Sequence, residues 1–445
     1  MPDRSNPEHD SRQYDAASIP VLSPALSTRS KWLVLGAASL GLLFDGIELG
    51  LMPVASLSVS QSLLAGDYTR PLGQEWFAWF TASLMLGAAI GGIALGNLGD
   101  RIGRTKSMGI SILFYSVFAL MGAWAENQQQ MLILRFLVGL GVGGMWPNGM
   151  ALVSECWPGA SRAWVAGVMS AGLNAGILLI SQITRFYPIT PDSWRWLFLL
   201  AGIPGLLGIF VLGFLPESPT WLKNRLAMPK HHRHSESKNA STNDQFLFSR
   251  ILWRTTLLAM LLSSIPLVSA WSASKWMIPW ADSVAGTSDA SYKSVTQGWW
   301  ALGATIGSFL GAQIATLLGP RRSYLLFSLG SVLTTLCMFL ATGPMQAGFH
   351  PTVFVQGLVS TLFFGWLAVF LPTLFPIGVR ASGCGLAYNV GRFATAIGVF
   401  AAGSLLPLFG NSYPKIGATC ALLYGLGLLA AWFIPKKFNS SDQDS

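Results

Sequence analysis

The sequence predicts an all-α integral membrane protein with twelve transmembrane helices arranged as two pseudo-symmetric six-helix bundles. Three observations lead to this fold class: few charged residues, apolar stretches long enough to cross a bilayer, and a repeat between the two halves of the chain. Of the 445 residues, 52% are hydrophobic and 11% are charged, and the mean hydropathy is +0.50. Soluble domains contain about 25% charged residues, so the composition excludes a chain of soluble domains.

Twelve apolar stretches are long enough for membrane helices, which need about 20 residues to cross a bilayer core. We predict spans at 31–54, 76–98, 106–125, 131–154, 163–184, 194–214, 253–274, 296–318, 323–342, 350–372, 381–403 and 415–434. The first span is expected to direct insertion, because the polar N-terminus lacks the apolar region of a cleavable signal peptide. The four cysteines lack the spacing of a disulfide framework or a zinc site.

Polar segments divide the chain into five predicted parts. We expect a cytoplasmic N-terminal tail at 1–30, a six-helix bundle at 31–222, a cytoplasmic linker at 223–250, a second bundle at 251–435 and a cytoplasmic C-terminal tail at 436–445. The linker is rich in Lys, His, Ser and Asn, which is typical of a flexible solvated segment. A metal tract is one interpretation of its clustered histidines, and a solvated loop is the favoured one: His231, His232 and His234.

The distribution of basic residues predicts that both termini lie in the cytoplasm. Cytoplasmic loops carry an excess of Lys and Arg, and most of the 28 basic residues fall on the side of the twelve spans that carries the termini. Those expected on the other side are Arg70, Arg185, Arg195, Lys293 and Lys415. This asymmetry accounts for the net charge of +9 without a nucleic-acid partner.

The two halves of the chain repeat their loops. DRIGRTKS follows span two and LLGPRRS follows span eight, which aligns Gly103 with Gly319. CWPGASRAWVAG joins spans four and five, and LFPIGVRASGCG joins spans ten and eleven, which aligns Arg162 with Arg380 at nearly the same offset. Parallel six-helix repeats on either side of a midplane site are typical of secondary transporters.

Two carboxylates interrupt the first predicted span in the stretch FDGIELGLMP: Asp45 and Glu48. Each would cost about 2.5–3.5 kcal/mol at a helix centre that faced lipid. A three-residue step on an α-helix places the side chains about 60° apart, on one face. This face is therefore expected to look into a cavity or toward a partner. Desolvation favours a neutral carboxyl group, so each acid is a candidate proton carrier.

Arg392 lies near the midplane of predicted span eleven, in the context YNVGRFATA. A guanidinium at this depth needs an anion, because an unpaired charge in the membrane is costly. The predicted spans of the second half contain no carboxylate, so we expect the substrate to supply the anion. The competing interpretation is a gate in which Arg392 pairs with Asp45 or Glu48.

Lys275, in SASKWMIPW near the end of span seven, is a second candidate anion contact. Snorkelling of its ammonium group between Trp271 and Trp276 explains this residue equally well. Polar and aromatic residues of spans four, five and eleven are further candidates for lining the cavity, although aromatic residues at such positions more often pack: Trp146, Asn148, Asn174, Gln182, Tyr388 and Asn389.

Four segments of the sequence resemble motifs of one family of membrane proteins. GNLGDRIGRTK (96–106) and RFLVGLGVGG (135–144) resemble the loop between spans two and three and the fourth-span motif of the major facilitator superfamily. PESPTWL (216–222) is similar to the end of the first half in sugar-porter-like members. FDGIE with GGMWPN (143–148) resembles the metabolite and aromatic-acid proton symporter branch. The resemblance extends over nearly the whole chain and implies the major facilitator fold.

The resemblance implies a role for the acids of the first span. It aligns Glu48 with the acid that the family uses for proton coupling, with Arg135 as its partner. Asp45 lies one turn deeper, toward the cytoplasm. A purely structural buried ion pair is the alternative for both acids.

The resemblance also implies a cytoplasmic gate in the loop after span two. A charge latch that stabilises the outward-open state would involve Asp100, Arg101, Gly103 and Arg104. The alternative is a solvated loop whose basic residues only enforce topology. In the second half the position of Asp100 is taken by Thr316, or by Ala315 in a shifted alignment, so a full latch is expected in the first half alone.

We therefore expect an inner-membrane secondary transporter that works by alternating access, as a proton symporter for a small organic anion such as a carboxylate metabolite. The alternatives are a neutral sugar or polyol proton symporter, which PESPTWL suggests, and a membrane sensor that has kept the fold without transporting. We expect no enzyme activity, catalytic site, metal site or cofactor. The expected partners are the small-molecule substrate, protons and the lipid bilayer, without nucleic acid, and the chain is expected to function as a monomer.

Overall fold

The structure is a computed structural model that describes residues 26–157, 162–227, 249, 252–286, 288–376 and 379–435. Within these ranges, twelve helical segments are long and apolar enough to cross a membrane: Thr28–Asp67, Arg70–Ile102, Arg104–Trp124, Gln128–Cys156, Ala163–Phe186, Arg195–Phe214, Trp253–Ala285, Tyr292–Leu318, Pro320–Ala341, Phe349–Leu374, Ser382–Phe409 and Tyr413–Phe433. We call these segments spans 1 to 12 in chain order. His231, His232 and His234 lie outside the described residues.

Each predicted span overlaps one observed span, so the twelve-helix prediction is confirmed. Span 7 is longer than predicted: its first helix, Trp253–Ser272, is followed by a 3₁₀ turn, Ser274–Trp276, and by a second helix, Met277–Ala285. The prediction stopped at the charge of Lys275, which is buried in the structure. A short helix, Pro219–Ala227, extends into the segment predicted as the linker, which begins at Lys223.

The repeat between the halves is visible in the backbone. Gly103 ends the helix of span 2 with φ +115°, and Gly319 ends the helix of span 8 with φ +78°. Both values lie in the region that favours glycine, because a Cβ would be strained there. Arg162 and Arg380, the other aligned pair, each begin an α-helix. The aligned positions therefore perform the same structural task in each half.

Glycines allow span 4 to approach its neighbours closely. A Cβ at Gly139 would clash with the Leu84 carbonyl oxygen on span 2, and a Cβ at Gly143 would clash with the Ala88 carbonyl oxygen. Small residues at such positions let the backbones of membrane helices come into contact, which is how helices associate in lipid. These two glycines of span 4 therefore serve close packing against span 2.

Several of the hydrogen bonds between the two halves lie near one face of the membrane. We call the membrane face where span 1 begins the termini face, and the other the opposite face. Near the opposite face, Arg70 Nη2 donates to the Ser283 carbonyl oxygen, and Lys293 Nζ lies 3.2 Å from Ser58 Oγ. Gln297 Nε2 donates to the Gly50 carbonyl oxygen at 3.0 Å. These contacts connect spans 1 and 2 with spans 7 and 8.

The close contact at Gly143 leads to a stability prediction. Gly143→Ala should force spans 2 and 4 apart, and overpacking of this kind typically costs about 1–3 kcal/mol. Gly425→Ala is the matched control, because Gly425 is helical and nothing lies within 4 Å of its Cβ position. The control should be neutral or stabilising, since Ala favours a helix over Gly by about 1 kcal/mol. Thermal unfolding in detergent measures both; equal melting temperatures would contradict the packing interpretation.

Candidate functional site

A cavity lies between the two halves. Its wall combines apolar and aromatic side chains with a few polar and charged ones. Residues from the first half are Asp45, Leu49, Met85, Ala88, Val142, Trp146, Ser170, Leu173, Asn174 and Ile177. Residues from the second half are Leu267, Ala270, Trp271, Lys275, Trp300, Phe364, Tyr388, Arg392 and Thr395. An apolar cavity with a few converging polar groups is the usual form of a small-molecule site.

Arg392 reaches from span 11 to the first half. Its Nη1 donates to the carbonyl oxygens of Ala88 at 3.1 Å and Gly143 at 3.3 Å. Its guanidinium lies 5.1 Å from the centre of the Tyr388 ring, and Tyr388 stacks on Trp146 with centroids 6.3 Å apart and planes at 6°. The carbonyl oxygens orient the guanidinium without neutralising its charge. An aromatic shelf therefore lies beside a cation that faces the cavity.

Asp45 faces the same cavity as Arg392. Its side chain is buried, and Oδ1 has no hydrogen-bond partner among the residues that the structure describes. Within that same part of the chain, Asp45 is not joined to Arg392 or to another basic residue by a salt bridge. The cavity thus contains an acid and a base that are both available to a third group.

Glu48 points elsewhere, toward span 4. Its Oε2 lies 3.4 Å from Arg135 Nη1, and both side chains are 0% exposed. The Arg135 guanidinium also lies 5.4 Å from the centre of the Phe198 ring. The expected partnership of Glu48 and Arg135 is thus present. The face of span 1 that carries the two acids thus meets a cavity at Asp45 and a partner at Glu48, because the angle between them on the helix directs them to different neighbours.

Several polar atoms of the Glu48–Arg135 pair lack a hydrogen-bond partner in the described part of the chain. Glu48 Oε1 and the Arg135 atoms Nε and Nη2 have no hydrogen-bond partner within the described ranges. A buried ion pair stabilises a fold well only when further hydrogen bonds satisfy its remaining atoms. A single contact between the two charged groups is therefore a bond that protonation of the carboxylate can break.

Lys275 lies on the 3₁₀ turn of span 7 and lines the cavity. Its side chain is 2% exposed. Its Nζ lies 3.5 Å from the centre of the Trp300 ring and 5.3 Å from that of Trp271. The snorkelling alternative is therefore wrong, because the ammonium is held inside by two indole faces instead of reaching the interface.

The other predicted cavity residues divide into two groups. Trp146, Tyr388 and Asn174 line the cavity. Asn174 Nδ2 also donates to Ser308 Oγ at 2.9 Å, which links span 5 to span 8.

Three predicted cavity residues pack between helices instead. Asn148 Nδ2 donates to the Leu95 carbonyl oxygen at 3.0 Å and to that of Gly144 at 2.8 Å. Gln182 lies against Gly298 on span 8, with Nε2 3.0 Å from the position of a Cβ there. Asn389 lies against Gly92 on span 2. None of these three is among the described residues that line the cavity. Asn148 shows that an amide group within a membrane helix can instead satisfy neighbouring backbone carbonyls, a use that sequence does not separate from ligand binding.

The second half contains one carboxylate that the predicted spans missed. Asp282 lies on the second helix of span 7, and its Oδ1 is 3.2 Å from Lys293 Nζ. The expectation that the second-half spans have no acid is wrong, because span 7 continues past Lys275. Asp282 does not serve Arg392, since its partner lies near the opposite face.

The predicted gate residues lie in the turn between spans 2 and 3. Asp100 Oδ1 is 2.5 Å from Arg104 Nη1, and Arg104 Nε is 3.5 Å from Glu155 Oε1 on span 4. Glu217 Oε1 accepts a hydrogen bond from the backbone N–H of Thr105 at 3.0 Å. A Cβ at Gly103 would clash with the Glu217 carboxylate.

PESPTWL holds this turn from the other side. Trp221 Nε1 donates to the Asp100 carbonyl oxygen at 2.8 Å, and Arg225 Nη1 donates to that of Arg101 at 3.4 Å. Sequence reasoning missed Glu155 and Glu217, although PESPTWL was recognised as a motif. The available signal for Glu217 was its place between the two prolines of PESPTWL, which puts a carboxylate at the end of span 6. The side-chain partners that the structure describes for this turn belong to the first half.

Sequence reasoning also missed two aromatic walls of the cavity, Trp271 and Trp300. Tryptophan in membrane helices is commonest at the lipid–water interface. The position of Trp271 one turn before Lys275 was the available signal.

Known proteins are similar to this chain over most of its length. The family model of the Major Facilitator Superfamily matches residues 34–399. A cis,cis-muconate transport protein from Acinetobacter baylyi is 26% identical over 417 residues, which cover 90% of this chain and 93% of that protein. A gentisate transporter from Corynebacterium glutamicum is 26% identical over 403 residues, which cover 89% and 86%.

Among solved structures, the partially occluded inward-open conformation of the xylose transporter XylE from E. coli has the same fold. Its TM-score is 0.69 at 17% sequence identity, and the match covers 92% of this chain and 99% of that chain. The family match, the twelve spans and this common fold agree. The chain therefore belongs to the Major Facilitator Superfamily, as a multi-pass membrane transporter with twelve membrane-spanning helices.

Proposed function

We propose that this protein is a secondary active transporter that carries a small organic anion together with protons by alternating access. The observation that carries the proposal is Arg392, a guanidinium held in the cavity between the halves by two carbonyl oxygens. An anion bound there contacts both halves at once. The relatives named as muconate and gentisate transporters support a carboxylate as the anion.

The carboxylate binds Arg392, and the body of the substrate lies on the aromatic shelf. A planar guanidinium binds a carboxylate through two parallel hydrogen bonds, which an ammonium does not reproduce. The rings of Tyr388 and Trp146 both line the cavity and offer aromatic surface next to that cation. Stacking on such a surface favours a planar, unsaturated substrate.

Proton coupling follows from the charge of Asp45. An ionised Asp45 repels a substrate carboxylate in a cavity of low dielectric constant, whereas a protonated one does not. Binding of the anion and of a proton therefore favour each other. Glu48 is a second proton site, because its protonation releases Arg135 from their single contact. Span 1 carries both acids and also binds Gln297 of the second half through Gly50.

The termini face is the cytoplasmic one in this proposal, and the membrane is the inner membrane. Lys and Arg are concentrated on this face, as expected for cytoplasmic loops. The turn between spans 2 and 3 then lies at the cytoplasmic mouth of the cavity. Its pair Asp100–Arg104 is the candidate latch of that mouth.

The neutral sugar alternative loses its main support. It rested on PESPTWL, and this segment contacts the turn between spans 2 and 3 instead of the cavity. The motif therefore stabilises the turn between spans 2 and 3 and gives no information about the substrate. A membrane sensor remains the alternative of another class, and net flux in proteoliposomes separates it from a transporter.

The anion site predicts the effect of Arg392→Lys. The charge remains but the two parallel hydrogen bonds are lost, so binding of gentisate or benzoate should weaken by about 1–3 kcal/mol. Arg185→Lys is the control, because Arg185 is exposed at the opposite face. Titration of the purified protein measures affinity, with xylose as a neutral ligand. Unchanged anion affinity with a reduced transport rate would instead support the gate interpretation.

The coupling sites predict two separable variants. Glu48→Gln and Asp45→Asn imitate the protonated forms, so each should abolish uphill accumulation while exchange of substrate across the membrane continues. Proteoliposomes with an imposed proton gradient measure accumulation, and counterflow measures exchange. A variant that still concentrates substrate to the wild-type level shows that the replaced acid is not a coupling site.

The latch predicts a slow variant that still folds. Asp100→Asn removes the carboxylate that binds Arg104 and should slow transport severely at normal membrane expression. Glu126→Gln serves as the matched control, because Glu126 is exposed near the opposite face. Initial rates at equal expression compare the two, and a wild-type rate for Asp100→Asn would leave the turn without a role in gating.

A further inference from the structure

We propose that Lys275 is a second anion-binding group of this cavity, and that it makes the cavity selective for a planar dicarboxylate over the matching monocarboxylate. The inference rests on the proposed function, which places one carboxylate on Arg392. It adds the residue that recognises the far end of the substrate.

The surroundings of Lys275 leave its ammonium without a strong partner. The side chain is 2% exposed, and Nζ has no hydrogen-bond partner among the described residues. The faces of Trp300 and Trp271 offset part of its lost hydration, as cation–π contacts do. The indole rings do not accept hydrogen bonds from the N–H groups of this ammonium as an oxygen atom does. A buried ammonium in this position lacks the oxygen ligand that an incoming anion supplies.

The helix register places the two cations at different depths. Gly391 on span 11 lies against Ser263 on span 7, and Gly398 lies against Ser272, so the spans run parallel. At about 1.5 Å of rise per residue, this register places Lys275 roughly 16 Å from Arg392 along the helix axes, measured at the backbone. Both side chains line one cavity. A ligand between them meets a cation at each end.

The wall and the charges of the cavity fit a diacid of this kind. Aromatic faces lie near both cations: Tyr388 and Trp146 beside Arg392, and Trp271 and Trp300 beside Lys275. A flat conjugated body is thus favoured between them. Asp45 is the acidic residue of the lining. When it is protonated, the two cations of the lining match the two charges of a dicarboxylate.

A structural role is the competing explanation for Lys275. In that case its ammonium serves only to bind the indoles of spans 7 and 8 together. Its loss would then lower stability and affect all substrates alike. Selectivity between a diacid and a monoacid of the same shape distinguishes the two explanations.

The test compares trans,trans-muconate with sorbate, which share a conjugated six-carbon chain and differ by a carboxylate replaced by a methyl group. The full-length protein should bind muconate about tenfold or more tightly than sorbate. Lys275→Met should remove this preference by weakening muconate binding about tenfold while sorbate binding changes little. Lys275→Arg should keep the preference. Lys415→Met is the control, because Lys415 is exposed at the opposite face.

The outcomes separate this inference from the proposed function. Equal losses for both acids in Lys275→Met, or an unchanged preference for muconate, would overturn the role of Lys275 and leave anion binding at Arg392 intact. A wild-type protein that binds xylose and neither acid would overturn the proposed function and this inference together. Lys275→Gln, which keeps a polar end without the charge, gives the same comparison if Lys275→Met does not fold.

Discussion

The cost of burying charge inside the membrane governs this structure. A charged side chain in a membrane helix must find a partner or a cavity. Between helices, Glu48 is paired with Arg135, and Asp282 with Lys293. Among the described residues of the cavity wall, the charged groups without a salt bridge are Asp45, Lys275 and Arg392. The paired charges therefore lie between helices, whereas the unpaired ones line the cavity.

One packing feature positions the guanidinium of Arg392. Gly143 lets span 4 approach span 2 so closely that a Cβ would clash with the Ala88 carbonyl oxygen. The carbonyl oxygens of these same two residues both accept hydrogen bonds from Arg392. The close approach of two helices in the first half thus creates a paired acceptor for a guanidinium of the second half. The position of the Arg392 guanidinium therefore depends on the packing of spans 2 and 4.

The two ends of the molecule are held differently. Near the opposite face, side chains of one half donate to backbone or side-chain oxygens of the other, as Arg70 does to Ser283 and Gln297 does to Gly50. At the termini face, the turn at Gly103 is bound by Glu155 and Glu217 of its own half. In the proposed alternating-access cycle, closing that end therefore requires contacts other than these.

The sequence by itself determined the number of spans, the repeat and the residues whose charge is too costly to face lipid. Length, composition and helical spacing carry that information, because each depends on the bilayer and on local geometry. Only the tertiary structure decided that Asp45 faces the cavity and Glu48 faces Arg135. It also placed Lys275 inside and Asn148 between helices. Helical periodicity gives the angle between two side chains, but the neighbour that each one meets depends on how distant helices pack.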